Sequence, residues 1–218
     1  MTAFGYPIAL DLRGRRAVVI GEIAVREGKV EALVEGGAAD VVVVAPGPLD
    51  RLDELERRHG HAVAVRRRGW RADDLDGAAV VVASGDDPAD RSEIARRARE
   101  RGALVNVMDD VDNCDWAAPA VVRRGDLVVA VSTGGRSPAL ASRLRGALAE
   151  RLGPEWGRAL DAIADVRDET AALLPDVRER SRRWRSALDL AEAESLAAQG
   201  RADELRRRLR SRLLGGRA

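Results

Sequence analysis

Three short polar stretches in this 218-residue chain could do chemistry, and each adjoins an apolar run. The first is Asn106-Val107-Met108-Asp109-Asp110, at the end of the apolar run Leu104–Met108. Asp109 has the chemistry of a general base, and Asn106 can orient a partner through its amide. Polar residues beyond the carboxyl end of a buried strand are where ligands bind in open α/β sheets. Position alone weighs that reading evenly against aspartates that merely solvate a loop or cap a turn. The second stretch is Ser132-Thr133-Gly134-Gly135-Arg136-Ser137-Pro138. Two glycines before a helix start (Ser137 as N-cap, Pro138 at N1) can present backbone amides to an anion, and Arg136 adds a forked cation suited to a carboxylate. A purely structural loop is the competing account, and two hydroxyls beside an arginine favour the anion site. The third is the turn Gly21-Glu22-Ile23-Ala24-Val25-Arg26. A dinucleotide fingerprint needs glycine at its first and second marked positions and a small residue at the third. Gly21 meets the first requirement, while Ile23 and Arg26 occupy the other two. The acidic ribose partner expected about 20 residues on is also missing, because Asp40 precedes the second strand and Ala45-Pro46 ends it.

Other candidates carry less. His59 and His61 lie in a charged loop with no third ligand nearby, and both read as exposed. Cys114 is the only cysteine, which excludes an internal disulfide and a multi-cysteine zinc site. Trp70, Trp116, Trp156 and Trp184 read as anchors of cores or an interface. The arginines of Arg206–Arg212 alternate with Leu205, Leu209 and Leu213 at helical spacing, which is the pattern of a helix with one apolar stripe. No aromatics interleave with them, so nucleic acid is not the expected partner.

These residues need a frame. Short apolar runs at Ala17–Ile20, Val41–Ala45, Ala62–Val65, Ala78–Ala83 and Leu104–Met108 read as strands. Between them lie helical patterns at Val25–Glu35, Leu49–Arg58 and Pro88–Glu100, with Pro46 and Pro48 stopping the second strand and Asp87 capping the third helix. Uniformly apolar strands alternating with helices predict an α/β fold, a doubly wound parallel sheet covered on both faces. Ala120–Arg123 and Leu127–Ser132 flank the turn Arg124-Gly125-Asp126 and predict a hairpin. A helix follows through Arg151, then a helical carboxy-terminal segment from Pro154 with breaks at Pro175 and Gly200. With 37 basic and 36 acidic side chains the formal net charge is +1, so no overall field draws the protein to nucleic acid or an anionic membrane. No apolar run reaches the ~20 residues that span a bilayer. Met1–Asp11 lacks the pattern of a signal peptide, so a reducing, cytoplasmic setting is expected.

Taken in order, these segments resemble the siroheme-synthase amino-terminal family, the precorrin-2 dehydrogenase / sirohydrochlorin ferrochelatase proteins. The likeness runs through Tyr6-Pro7-Ile8, Val18-Val19-Ile20-Gly21, Val44-Ala45-Pro46, Val82-Ala83-Ser84-Gly85-Asp86-Asp87 and Asn106 to Asp110. Its most specific part is Cys114-Asp115-Trp116, Pro119, Arg124-Gly125-Asp126-Leu127 and Val131 to Ala139. It is close over residues 6–150 and extends to the tail only in composition and length. The resemblance implies an NAD-binding Rossmann-like domain over residues 1–113, a small α/β dimerisation and substrate region over 114–152, and a helical domain over 153–218. It implies a homodimer that oxidises precorrin-2 to sirohydrochlorin with NAD, some members also inserting ferrous iron to give siroheme. It carries the catalytic aspartate over to Asp109. The implied cofactor-binding set is Gly21, Glu22, Ile23, Ala24, Val25, Ala45, Pro46 and Ser84. The implied substrate-binding set is Asn106, Asp110, Ser132, Thr133, Gly134, Gly135, Arg136 and Ser137, with no resident metal.

One departure stands out. The family's usual Gly-Gly-Gly-x-Val-Ala is here Gly21-Glu22-Ile23-Ala24-Val25-Arg26. A branched side chain and a carboxylate then sit where a pyrophosphate should approach. Two other readings therefore stay beside the dehydrogenase: a tetrapyrrole chelatase or carrier that no longer binds NAD, and a non-catalytic scaffold docking through its Arg-rich helices.

Overall fold

The computed structural model describes residues 4–26, 28–47 and 50–215. Two compact units divide the chain, residues 1–118 and residues 119–218.

In the first unit five strands make one parallel sheet: β1 (Arg16–Ile20), β2 (Asp40–Val44), β3 (Val63–Arg66), β4 (Ala78–Ala83) and β5 (Leu104–Val107). Their spatial order is β3-β2-β1-β4-β5, so the chain reverses direction across the sheet between β1 and β4. The registers Val18↔Val42 and Val18↔Val81 seat β1 between β2 and β4, with one shift against β4 between Arg16 and Ala17. The alternate residues of β1 and β2 belong to two separate buried clusters, one on each face, which is why these strands are apolar after their first residue rather than alternating with polar residues.

The strand expectations hold to within a residue at most ends. The helix expected over Val25–Glu35 is broken: α1 (Glu22–Arg26) and α2 (Lys29–Glu35) are separate. Gly28 lies between them at φ 69°, ψ 24°, a left-handed conformation that glycine adopts without Cβ strain and that a continuing helix forbids. Helix α3 is Asp50–His59, with Leu52 and Leu55 buried. The proposed strand stop at Pro48 and helix start at Leu49 fall outside the described residues. A 3-10 turn, Ala72–Leu75, precedes β4. Helix α4 is Pro88–Glu100, as its N-cap and N1 residues indicate: the Asp87 side chain accepts from the Ala89 amide at 2.9 Å. Another 3-10 turn, Val111–Asn113, follows β5.

The second unit starts with the antiparallel hairpin β6 (Ala120–Arg124) and β7 (Leu127–Val131). Gly125 opens its two-residue turn at φ 57°, where a side chain would be strained. Helix α5 is Pro138–Arg151, and the Arg124 guanidinium closes its far end by donating to the carbonyls of Leu152 (2.6 Å) and Ala149 (2.9 Å). Then come α6 (Glu155–Leu173), α7 (Val177–Ala187), α8 (Leu190–Ala198) and α9 (Ala202–Leu214). They bury Ala159, Ala162, Val166, Leu196, Leu205, Leu209 and Leu213 in one core, partly covered by Trp156 and Trp184. The predicted leucine stripe of α9 is thus its buried face. Arg206, Arg208, Arg210 and Arg212 on the outside pair with Asp165, Glu192 and Glu169 of neighbouring helices. Among the described residues no helix is long and apolar enough to cross a membrane.

Candidate active site

The carboxyl ends of β1 and β4 meet at the reversal of strand order, where open α/β sheets hold their ligands. Gly21 turns the chain out of β1 at φ 93°. A Cβ built on it would lie 2.2 Å from the Ser84 carbonyl oxygen and 2.6 Å from Ser84 Oγ, so only glycine fits. Ser84 is buried, and its hydroxyl donates to the Ile20 carbonyl (3.3 Å) while accepting from the Ala24 amide (3.0 Å). It therefore locks the start of α1 to the end of β4. The side chains of Ala24, Val25 and Ala45 are wholly buried, which leaves only their backbones for any cofactor.

Above this junction lies a cleft of about 400 Å³, lined on one side by Gly21, Glu22 and Ile23 and on the other by Ser84, Gly85 and Asp86. Val44, Pro46, Gly69, Trp70 and Asp90 complete its lining. Ile23 lines the cleft with its side chain 45% exposed, so the branched group narrows the space without filling it. Volume and position suit a nucleotide-sized ligand. Glu22 is paired with Arg26 at 3.6 Å, which partly offsets its charge.

A second cleft, about 240 Å³, shares Ile23, Ser84, Gly85 and Asp86 with the first and continues to Arg91, Met108 and Asp109. Asp109 is exposed and has φ 58°, one of two non-glycine residues with positive φ among those described. Such a conformation costs energy and is held only when surrounding structure imposes it. The surroundings do so. Asp110 accepts from Asn113 Nδ2 (3.0 Å) and Arg91 Nε (3.3 Å), which hold its carboxyl below the usual range. Arg91 also donates to the Gly85 carbonyl at 2.7 Å, tying the Asp109 loop to the shared wall of both clefts. Asn106 donates to the Trp116 carbonyl at 2.9 Å, and the Cys114 sulfur accepts from the Val107 amide at 3.1 Å. Burial raises the Cys114 thiol, which is a packed group rather than a reactive one. Asn106 and Asp110 thus have their polar atoms turned to the loop itself, and Asp109 alone of the cluster presents its carboxylate outward.

The loop Ser132–Ser137 belongs to the other unit. Gly134 and Gly135 are left-handed (φ 60° and 80°), so both glycines are required by the turn. Ser132 Oγ accepts from the Gly134 amide (3.2 Å), Thr133 Oγ1 from the Ser137 amide (3.0 Å), and Ser137 Oγ from the Leu140 amide (3.3 Å). The hydroxyls therefore hold the loop, and Arg136, exposed and without an ion pair among the described residues, is the group left to meet an anion. His59 and His61 form no cluster, and no group of three His, Cys, Asp or Glu side chains able to hold a metal occurs among the described residues.

Sequence reasoning missed Trp70, Asp86, Asp90 and Arg91. The last two were within reach, since the residues three and four after the α4 N-cap must lie at the carboxyl edge of β4. Trp70 carried no signal that separated it from a core anchor.

The sheet order, the glycine turn and the two joined clefts define a dinucleotide-type α/β domain with a free carboxylate at its rim. Residues 8–120 match the family described as "Putative NAD(P)-binding", and residues 124–151 match "Sirohaem biosynthesis protein central". The chain belongs to the siroheme-synthase amino-terminal family. It is 39% identical over 197 residues to the siroheme synthase of Pseudomonas entomophila, covering 89% of this chain and 42% of that protein. It is 36% identical to the siroheme synthase of Azotobacter vinelandii, covering 96% and 44%. The chain thus spans less than half the length of these curated relatives. The solved structure of SirC, precorrin-2 dehydrogenase, matches with a TM-score of 0.63 at 24% identity, covering 96% of this chain and 97% of that one, a likeness of fold.

Proposed function

We propose that this chain is an NAD-dependent dehydrogenase that oxidises precorrin-2 to sirohydrochlorin in siroheme biosynthesis. The observation that carries the reading is the Asp109 carboxylate, without an ion pair among the described residues and held in a left-handed backbone beside a cleft continuous with the one at the β1–β4 junction. The residues fit a dinucleotide. Gly21 and Glu22 give the approach, Ser84 and Gly85 face them, and Ile23 leaves the space open. Bound there, the dinucleotide supplies the two-electron oxidant. The protein's own part is to hold and to take a proton: Asp109 Oδ accepts the hydrogen that leaves the substrate as a proton, and the Arg91–Asp110–Asn113 network keeps that carboxylate at the rim. Arg136 offers a partner to acetate or propionate arms.

NAD is favoured over NADP because three carboxylates, Glu22, Asp86 and Asp90, line the first cleft and no basic side chain does. An additional phosphate would meet their negative charge, which Arg26 offsets only at Glu22. Asp109 could also take up pyrrole protons as ferrous iron, a substrate delivered to the macrocycle, replaces them. The protein would work as a cytoplasmic homodimer, for which the exposed Leu140 and Leu144 of α5 speak. Incubation with precorrin-2 and NAD should produce the sirohydrochlorin spectrum. Its absence at high protein concentration would overturn the dehydrogenase, and an accompanying failure to bind NAD would leave the chelatase or carrier, the reading that Glu22 and Ile23 favour.

A further inference from the structure

The part of the first cleft lined by Trp70 and Asp90 is built in a way that its nucleotide-binding reading alone does not require. The Trp70 indole Nε1 donates to Asp90 Oδ1 at 2.7 Å, so the loop after β3 is fastened to the first turn of α4. The ring also packs against the buried cluster on one face of the sheet. Its loop is anchored a second time through Asp74, a buried carboxylate. Asp74 accepts from the guanidiniums of Arg66 and Arg68 and from the Arg71 amide (2.8 Å), and Arg68 donates onward to the Gly69 carbonyl at 2.9 Å. Every residue from Arg66 to Arg71 except Arg67 thus takes part in holding the indole at the cleft wall. A tryptophan kept only for its bulk needs no such scaffold.

Val44, Pro46 and Ile23 give this cleft apolar surface, and its charges are the carboxylates of Glu22, Asp86 and Asp90. The apolar part of that lining suits a flat, neutral, aromatic group. The second cleft, with Asp109, lies at the other end of the shared wall, and there the redox-active ring of a dinucleotide must meet the substrate. The two ends therefore sort the two halves of the ligand. We propose that Trp70 is the stacking wall for the adenine base of the dinucleotide, with Asp90 and Asp74 as the residues that position it. The inference rests on the dinucleotide reading above and adds which end of the cleft holds which base.

The test is calorimetry with NAD and with ADP-ribose, which has the adenine but no nicotinamide, combined with indole fluorescence. ADP-ribose should bind the wild type and quench part of its emission. Trp70→Ala should weaken NAD and ADP-ribose alike by tenfold or more, in line with the ~1–3 kcal/mol that base–aromatic stacking contributes. Trp70→Phe keeps a ring, serves as the control for any loss of folding in the alanine variant, and should retain affinity within a few-fold and lose the quench. Equal affinity of Trp70→Ala and wild type for ADP-ribose overturns the proposal. So does ADP-ribose binding with no change in wild-type emission, a quench that persists in Trp70→Phe, or NAD binding without ADP-ribose binding. If the wild type binds neither ligand, the dinucleotide reading itself falls, an outcome distinct from all of these.

Discussion

Asp109 sits in a conformation that its own backbone preference opposes, and its carboxylate takes no part in the bonds that impose it. A substitution there separates chemistry from stability. Asp109→Asn keeps the size and tolerates the left-handed region, so unfolding in urea should shift by less than about 0.5 kcal/mol. Precorrin-2 oxidation should fall by roughly 10²–10⁴, the usual contribution of a positioned base. Wild-type turnover in that variant would mean that another group takes the proton. Ile23 gives the converse case. It is 45% exposed at the mouth of both clefts, so Ile23→Gly should tighten NAD binding by calorimetry. Glycine inside α1 should cost the fold up to about 1 kcal/mol. Unchanged affinity would show that the pyrophosphate approaches elsewhere. Asp109 was legible in the sequence because a polar residue after a buried strand has few places to go. Trp70 was not, because an indole that fills a core and one that lines a cleft look alike until their neighbours are known.

At the scale of elements, one contact decides whether β1, α1 and β4 meet correctly. Gly21→Ala would drive a methyl against the Ser84 carbonyl in a backbone that already has φ 93°. It should destabilise by about 2 kcal/mol or more and abolish NAD binding even in the folded fraction, measured by thermal melting and calorimetry. The Asp74 clamp sets a pH dependence. Burial pushes the Asp74 carboxyl up, but the hydrogen bonds from Arg68, the Arg71 amide and Arg66 outweigh it and hold it at about 2 against an ordinary 3.8. A carboxyl lowered in the fold stabilises at any pH above its ordinary value. That contribution, about 2 kcal/mol, is lost as pH falls through 4 toward 2. Urea unfolding should therefore show Asp74→Asn less stable than wild type at pH 7, with the gap closing near pH 2. A gap that persists unchanged at low pH would assign the loss to packing. The break at Gly28 belongs to this scale too. Apolar spacing runs through Val25, Val30 and Leu33 as if through one helix, and a single glycine in such a run does not announce that it will turn left-handed.

Across the whole molecule, the class of fold was readable because strands buried on both faces leave no polar positions, and no half-exposed sheet can produce that pattern. The strand order β3-β2-β1-β4-β5 was not, since pairing between short valine runs is set by long-range packing rather than by any local signal. The same limit applies to assembly. In α5 only Ala141 is buried, while Leu140 and Leu144, one turn apart, are 50% and 45% exposed, and Val128 of β7 is 44% exposed. A two-stranded ribbon is marginal alone, and an apolar helical stripe in water is costly, so both features call for a covering surface. The proposed homodimer supplies one from a second copy of the same elements, in which each leucine faces its own kind. Sedimentation equilibrium at micromolar concentration should give a dimer for the wild type and a monomer for the double variant Leu140→Glu, Leu144→Glu. Helix content should change little, because both side chains are about half exposed within their own chain. A monomeric wild type, or a dimer that survives both charges, would place the interface elsewhere.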